Sequence, residues 1–244
     1  LRQAISAAVD RQEFANTVYL GAAVPVAGPV TPGNREWHVP DLPVPTPDAA
    51  RARQLLAAAG LTDRNGDGRL EAPDGREARF SVLTQKGNTL RERSAAFIQQ
   101  DLGRLGLAID VVPLEVPALI DRITRGGYEA AYFGAQASDS DPATNLDYWL
   151  SSGAFHPWNP EQAHPATPWE ERIDALMRQQ VATPEASERR RLFREVQRIF
   201  HDEMPAIYFV APRVVLAASP RLTGVRAGLL QPYILWDAAS LGLR

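Results

Sequence analysis

Residues 78 to 133 read ARFSVLTQKGNTLRERSAAFIQQDLGRLGLAIDVVPLEVPALIDRITRGGYEAAYF, and this stretch decides the architecture. Ala78 to Thr84 is a strand candidate. Thr89 to Leu105 follows with helical spacing, Ile98, Leu102 and Leu105 on one face and Gly106 as the stop. Leu107, Ile109 and Val111 alternate as in a strand; Val116, Leu119, Ile120 and Ile123 form a second helical face that ends at Gly126-Gly127. Tyr128 to Phe133 closes the series as a third strand. A βαβαβ order with helical crossovers predicts parallel strands in one sheet. The expected fold class is α/β, a parallel-rich sheet with helices on both faces.

The loop after that third strand is then at the carboxyl edge of the sheet, where open α/β folds bind ligands. It holds Gln136, Ser138 and Asp139, the candidate ligand contacts, and ends in Asp141-Pro142, a helix-capping pair.

Outward from this centre, LRQAISAAVDR reads as a helix, and Asp10 with Glu13 reads as the capping start of another, stopped by Gly21. Residues 22 to 47 carry seven prolines, a density that excludes helix and central strand. A long ordered loop draped over a surface is expected there, anchored by Trp37, which is also a candidate ligand contact. Thr46-Pro47, Thr167-Pro168 and Thr183-Pro184 all read as helix starts, the second with Glu170 completing a capping box. Residues 169–181 and 185–202 read as amphipathic helices. The arginines at 189, 190, 191, 194 and 198 read as a solvated face paired with Glu185, Glu188 and Glu195. Residues 206–210, 214–218 and 232–236 read as short strands.

Composition narrows the function classes. The 244 residues suit one large domain or two small ones, and 45% hydrophobic content supplies a sizeable core. A net charge of −3 gives no reason to expect nucleic acid. The absence of cysteine excludes disulfides, zinc-thiolate sites and thiol nucleophiles. No apolar run approaches the roughly 18 residues of a membrane span. Neither a hydrolase elbow nor a P-loop occurs, and the spacing of His38, His156, His164 and His201 fits no catalytic metal motif, so an enzyme is not expected. Trp158, between Pro157 and Asn159, is a candidate for stacking on a ligand. Asp63, Asn65, Asp67, Glu71 and Asp74 match ligand positions of a calcium loop, with Gly68 at the turn. The same residues also build double turns, so no cofactor is expected unless that loop takes calcium.

Five stretches in order carry a resemblance: LRQAISAAVDRQEFANTVYLG, PDAARARQLLAAAGL, IQQDLGRLGLAIDVV, SDSDP and RRRLFREVQRIFHDEMPAIYFVAP. Together they make the chain resemble the carboxyl-terminal half of a family 5 extracellular solute-binding protein, the peptide, oligopeptide and nickel-binding group of ABC importers. The resemblance implies one lobe of a type II periplasmic-binding-protein fold, with residues 1–210 as the second lobe and 211–244 as a tail returning toward a missing amino-terminal lobe. It implies a peptide or other small polar solute captured between two lobes, delivery to a membrane permease, and a periplasmic or extracellular location, membrane-associated in the full-length protein. A start at Leu1, inside a helix pattern, fits a piece of such a longer protein. Peptide binders of the family place an amine-pairing aspartate at the position of Ser138 and often tryptophan at that of Gln136, with Asp139 here one position off. Neutral Gln and Ser suit a sugar-like or other polar solute as well. A sensor, signalling or chaperone module reusing the fold is the alternative.

Overall fold

The computed structural model describes residues 1–134, 140–228 and 233–244. It opens with helices α1 (Arg2–Ala8) and α2 (Arg11–Tyr19). The Asp10 carboxylate accepts the Gln12 and Glu13 amides at 2.9 and 3.0 Å, which supplies the cap its spacing predicts. A short strand, β1 (Ala23–Pro25), enters the proline-rich loop, and helix α3 (Ala49–Ala58) leaves it. The helix starts later than the Thr46-Pro47 signal because Asp48 takes the cap position and accepts the Arg51 amide at 2.8 Å.

The central stretch folds as its pattern predicts. Strand β2 (Arg79–Gln85), helix α4 (Thr89–Gly103), strand β3 (Ala108–Leu114), helix α5 (Val116–Thr124) and strand β4 (Ala130–Tyr132) form a parallel sheet in the order β3-β2-β4. Arg79 lies opposite Ala108, and Val82 opposite Ala130. Val82 and Leu83 are adjacent and point to opposite faces. Val82 joins the cluster of Phe14, Ile98 and Leu102, whereas Leu83 packs with Leu119 and Ile123 of α5, so both faces of the sheet are covered. Strand β4 is shorter than the 128–133 expected. Glu129 uses its carboxylate, not its backbone, to take the Ser81 amide and hydroxyl at 2.8 and 2.7 Å.

Beyond the sheet come a 3-10 turn (Pro142–Asn145) and helices α6 (Leu146–Trp149), α7 (Pro168–Ala182) and α8 (Ala186–Glu203). Thr167 caps α7 and shares its capping box with Glu170, as read; α8 is capped by Glu185 and not by Thr183. The chain returns as β5 (Val210–Pro212), antiparallel to β1, and ends in a two-stranded ribbon of β6 (Leu222–Thr223) and β7 (Gly242–Leu243). The strand expected at 206–210 forms only from Val210, and 214–218 forms none: Val215 is 81% exposed and meets no partner strand. Of the third expected strand, 233–236 is turn and Pro232 lies outside the described residues.

A second core gathers Trp37, Tyr148, Trp149, Phe193 and Phe200 between α6, α7 and α8. Phe193 and Phe200 meet Trp149 edge-on at 5.1 and 5.8 Å, an arrangement that matches ring edges to ring faces. The arginine face of α8 is not simply solvated. Arg191 pairs with Glu188, as read, but Arg189 pairs with Asp141, Arg190 with Glu36 and Arg198 with Asp41. These arginines tie the long loop and the 140–141 segment to the helix.

Candidate functional site

The carboxyl ends of β2, β3 and β4 share one edge, and the segment leaving β4 there runs through Phe133 and Gly134 to Ser140 and Asp141. Gln136, Ser138 and Asp139 lie outside the described residues. Both flanks of their segment are described. On one side Gly134 packs so closely on the Arg91 guanidinium that any Cβ would displace it, which accounts for glycine there. Arg91 sits in the first turn of α4 and makes no ion pair among the described residues. On the other side the Trp37 indole N–H donates to the Ser140 carbonyl at 2.8 Å.

Asp141 is fixed three ways. Its carboxylate accepts the Ala143 amide at 2.8 Å, as a cap, and takes two hydrogen bonds from Arg189 at 2.8 and 2.6 Å. Arg189 in turn lies over the Trp37 ring at 5.3 Å. Burial by itself would raise the Asp141 carboxyl, but the Arg189 and Ala143 hydrogen bonds outweigh it and hold the group below its ordinary value. The Arg189 partnership was not legible from the sequence: 48 residues separate the pair.

Trp37 is the loop anchor that its setting suggested. It is 6% exposed, its carbonyl accepts the Gln197 side-chain Nε2–H at 2.8 Å, and its ring meets Phe193 edge-on. Trp158 is half-buried and packs on His156, Tyr148 and Phe200, with 4.0 Å between the His156 and Trp158 ring centres. Its indole N–H is buried and has no hydrogen-bond partner among the described residues. Both tryptophans therefore pack in the second core, and Trp158 also lines the pocket that reaches Phe133 and Gly134. His156 is buried too, between the Tyr148 carbonyl and Glu170, each at 3.3 Å. Burial lowers its proton affinity more than Glu170 restores it.

The calcium-loop residues are only partly assembled. Carboxylate oxygens of Asp63, Asp67 and Glu71 come within 4.8 Å of one another. Asp74 instead pairs with Arg76 at 2.7 Å, and Asn65 exchanges hydrogen bonds with Asp67. Asp63 accepts the Gly66 and Gly68 amides at 2.7 and 2.9 Å, and Glu71 the Arg64 amide at 2.9 Å, the bonding of a double turn.

The family model for the middle part of bacterial extracellular solute-binding proteins, family 5, matches residues 1–157. The chain belongs to that family. Among family 5 relatives, the oligopeptide-binding protein AppA of Bacillus subtilis is 32% identical over 126 residues, 50% of this chain and 23% of the relative. The heme-binding protein A of Haemophilus influenzae is 27% identical over 228 residues, 92% of this chain and 38% of its own length. The solved structure of Bacillus subtilis AppA in complex with a nonapeptide superposes with a TM-score of 0.77 at 23% identity, covering 100% of this chain and 47% of that one. The chain thus spans less than half the length of these family 5 relatives, and its fold is one lobe of the type II periplasmic-binding-protein architecture. No helix among the described residues is long and apolar enough to cross a membrane.

Proposed function

We propose that residues 1–244 are one wall of a two-lobed solute-binding cleft, in the substrate-binding component of an ABC importer that works outside the cytoplasm, in the periplasm or at the cell surface. The captured solute is a peptide or another small polar molecule, handed to a membrane permease; the role is binding, not catalysis. The observation that carries this reading is the segment from Gly134 to Asp141. It leaves the carboxyl edge of a parallel sheet, where ligand crevices form, and both of its flanks are pinned. In this reading Gln136, Ser138 and Asp139 contact the solute, Trp37 holds the segment through the Ser140 carbonyl, and Trp158 lines the same pocket as Gly134. Arg91, beside Gly134 and without an acidic partner among the described residues, adds a cation suited to a carboxylate or another anionic group on the solute. The tail, 211–244, returns to the first lobe; Val215 and Trp236, 81% and 55% exposed, supply apolar surface for that contact.

The full-length protein, purified with its retained solute, tests this. Mass spectrometry identifies the solute and calorimetry gives its affinity. Arg91→Met should weaken binding by about 1.5–3 kcal/mol, roughly ten- to a hundredfold, the worth of a hydrogen bond to a charged group. Gly134→Ala, which displaces the same guanidinium, should weaken it in the same direction without unfolding the protein. Unchanged affinity in both variants would remove Arg91 from the site. Unchanged affinity on replacing Gln136 and Asp139 would remove the cleft assignment itself.

A further inference from the structure

The loop between α3 and β2 carries a chemistry of its own, apart from the solute cleft. The chain's one Asn-Gly pair, Asn65-Gly66, and its two Asp-Gly pairs, Asp67-Gly68 and Asp74-Gly75, all fall there. In such pairs the glycine nitrogen can attack the preceding side-chain carbon, because glycine has no side chain to block the approach. At Asn65 the Gly66 nitrogen gives up its proton to base, bonds to the Asn65 Cγ and expels ammonia. Water then opens the cyclic imide at one carbonyl or the other, leaving aspartate or isoaspartate. Asp67 and Asp74 form the same imide with loss of water, and its hydrolysis returns that water. The turns require these glycines: Gly66, Gly68 and Gly75 have φ of +80°, +85° and +83°, a region that L side chains rarely adopt. Asparagine and aspartate before them are favoured turn residues. Residues 65–68 are exposed, so water reaches the reactive atoms.

The hydrogen bonding opposes this reaction. The Gly66 and Gly68 amides are the two attacking nitrogens, and both donate to one carboxylate, that of Asp63, at 2.7 and 2.9 Å. Removing either proton breaks a charge-assisted hydrogen bond and sets a nitrogen anion against the Asp63 carboxylate. The Asn65 side chain is also engaged: it donates to the Asp67 carboxylate at 3.2 Å and accepts the Asp67 amide at 2.9 Å. Gly75 differs, since its amide donates to the neutral Ala72 carbonyl at 2.9 Å. The loop sits on the first core. Leu70 packs against that core, its amide donates to the Gly106 carbonyl at 2.9 Å, and its carbonyl accepts the Ala78 amide at 2.7 Å. Gly106 approaches the loop so closely that a Cβ would stand 2.8 Å from the Gly68 carbonyl oxygen. Isoaspartate at 65 or 67 inserts a carbon into the main chain and shifts this contact.

We propose that Asn65-Gly66 is a site of self-modification by deamidation, and that the Asp63 carboxylate is the brake on it. The same carboxylate restrains isoaspartate formation at Asp67-Gly68. Asp74-Gly75 lies outside its reach and serves as an internal reference. The brake is independent of the solute, so it stands or falls separately from the cleft.

The test ages the full-length protein and its Asp63→Asn variant in warm, mildly alkaline buffer, beside a synthetic peptide of residues 61–71. Peptide mass spectrometry follows the mass gain at Asn65, and chromatographic separation of isoaspartyl peptides follows Asp67 and Asp74. Asn65 should deamidate more slowly in the protein than in the peptide. Asp63→Asn should speed it roughly tenfold or more, the rate equivalent of one hydrogen bond to a charged group. Isoaspartate at Asp67 should rise with it, while Asp74 keeps its wild-type rate. Deamidation of the wild-type protein at the peptide's rate overturns the proposal, as does an unchanged rate at Asn65 in the variant. Equal acceleration at Asp74 overturns it too, because loop order and not Asp63 would then be the brake.

Discussion

Replacing Asp141 with alanine separates a structural role from a ligand contact. Two losses add. The cap on the 3-10 turn, made through the Ala143 amide, is worth about 1 kcal/mol by analogy with helix N-caps. The Arg189 pair is bidentate and partly buried, with 31% and 20% of the two side chains exposed. That places it between surface pairs, worth about 0–1 kcal/mol, and buried pairs, whose breakage costs about 3–5 kcal/mol; about 1–2 kcal/mol is the expected share. Asp141→Ala should then destabilise by about 2–3 kcal/mol. Circular dichroism melts and urea titrations of the full-length protein measure it, and the double variant with Arg189→Met should show coupling of at least about 0.5 kcal/mol. The pH dependence has a definite sign. The folded-state carboxyl lies below its ordinary value of 3.8, so its stabilisation is complete above that value and is lost as pH falls through the lowered one. The variant should lack this part of the acid sensitivity. Solute affinity should stay nearly unchanged. A variant of wild-type stability that has lost affinity would refute the reasoning.

Three further outcomes are expected. Phe200→Ala opens the second core among Tyr148, Trp149 and Trp158 and should cost about 3–5 kcal/mol by chemical denaturation. His156 is held neutral by burial, with its folded-state affinity for protons below the ordinary value of 6.5. Its contribution is therefore complete above pH 6.5 and declines as pH falls toward the lowered value; stability measured across this window should flatten in His156→Gln. Calorimetry on chelator-treated protein should show no calcium heat at millimolar concentration, since Asp74, at the position that calls for a bidentate carboxylate, pairs with Arg76, and only Asp63, Asp67 and Glu71 converge among the described residues. A saturable heat there would establish a metal site.

What the sequence determined by itself was local and periodic. The alternation in β2 and β3, the helical faces of α4 and α5 and the glycines between them specified a parallel sheet covered on both faces, because period and chain order restrict what can pair. Caps at Asp10, Asp141 and Thr167 were readable for the same reason: donor and acceptor lie within three residues. The start of α3 and of α8 was misread by one or more residues, where Asp48 and Glu185 outcompeted the Thr-Pro signals as caps. Tertiary structure decided what depends on distant partners. It turned the arginine face of α8 toward Glu36, Asp41 and Asp141, placed Trp158 in the second core, set Arg91 against Gly134, and left 214–218 unpaired. It also left β4 at the edge of the sheet, paired on one side only among the described residues. A side chain's own neighbours in sequence set its backbone preference, but its partner 48 or 157 residues away is chosen by packing, which local pattern does not encode.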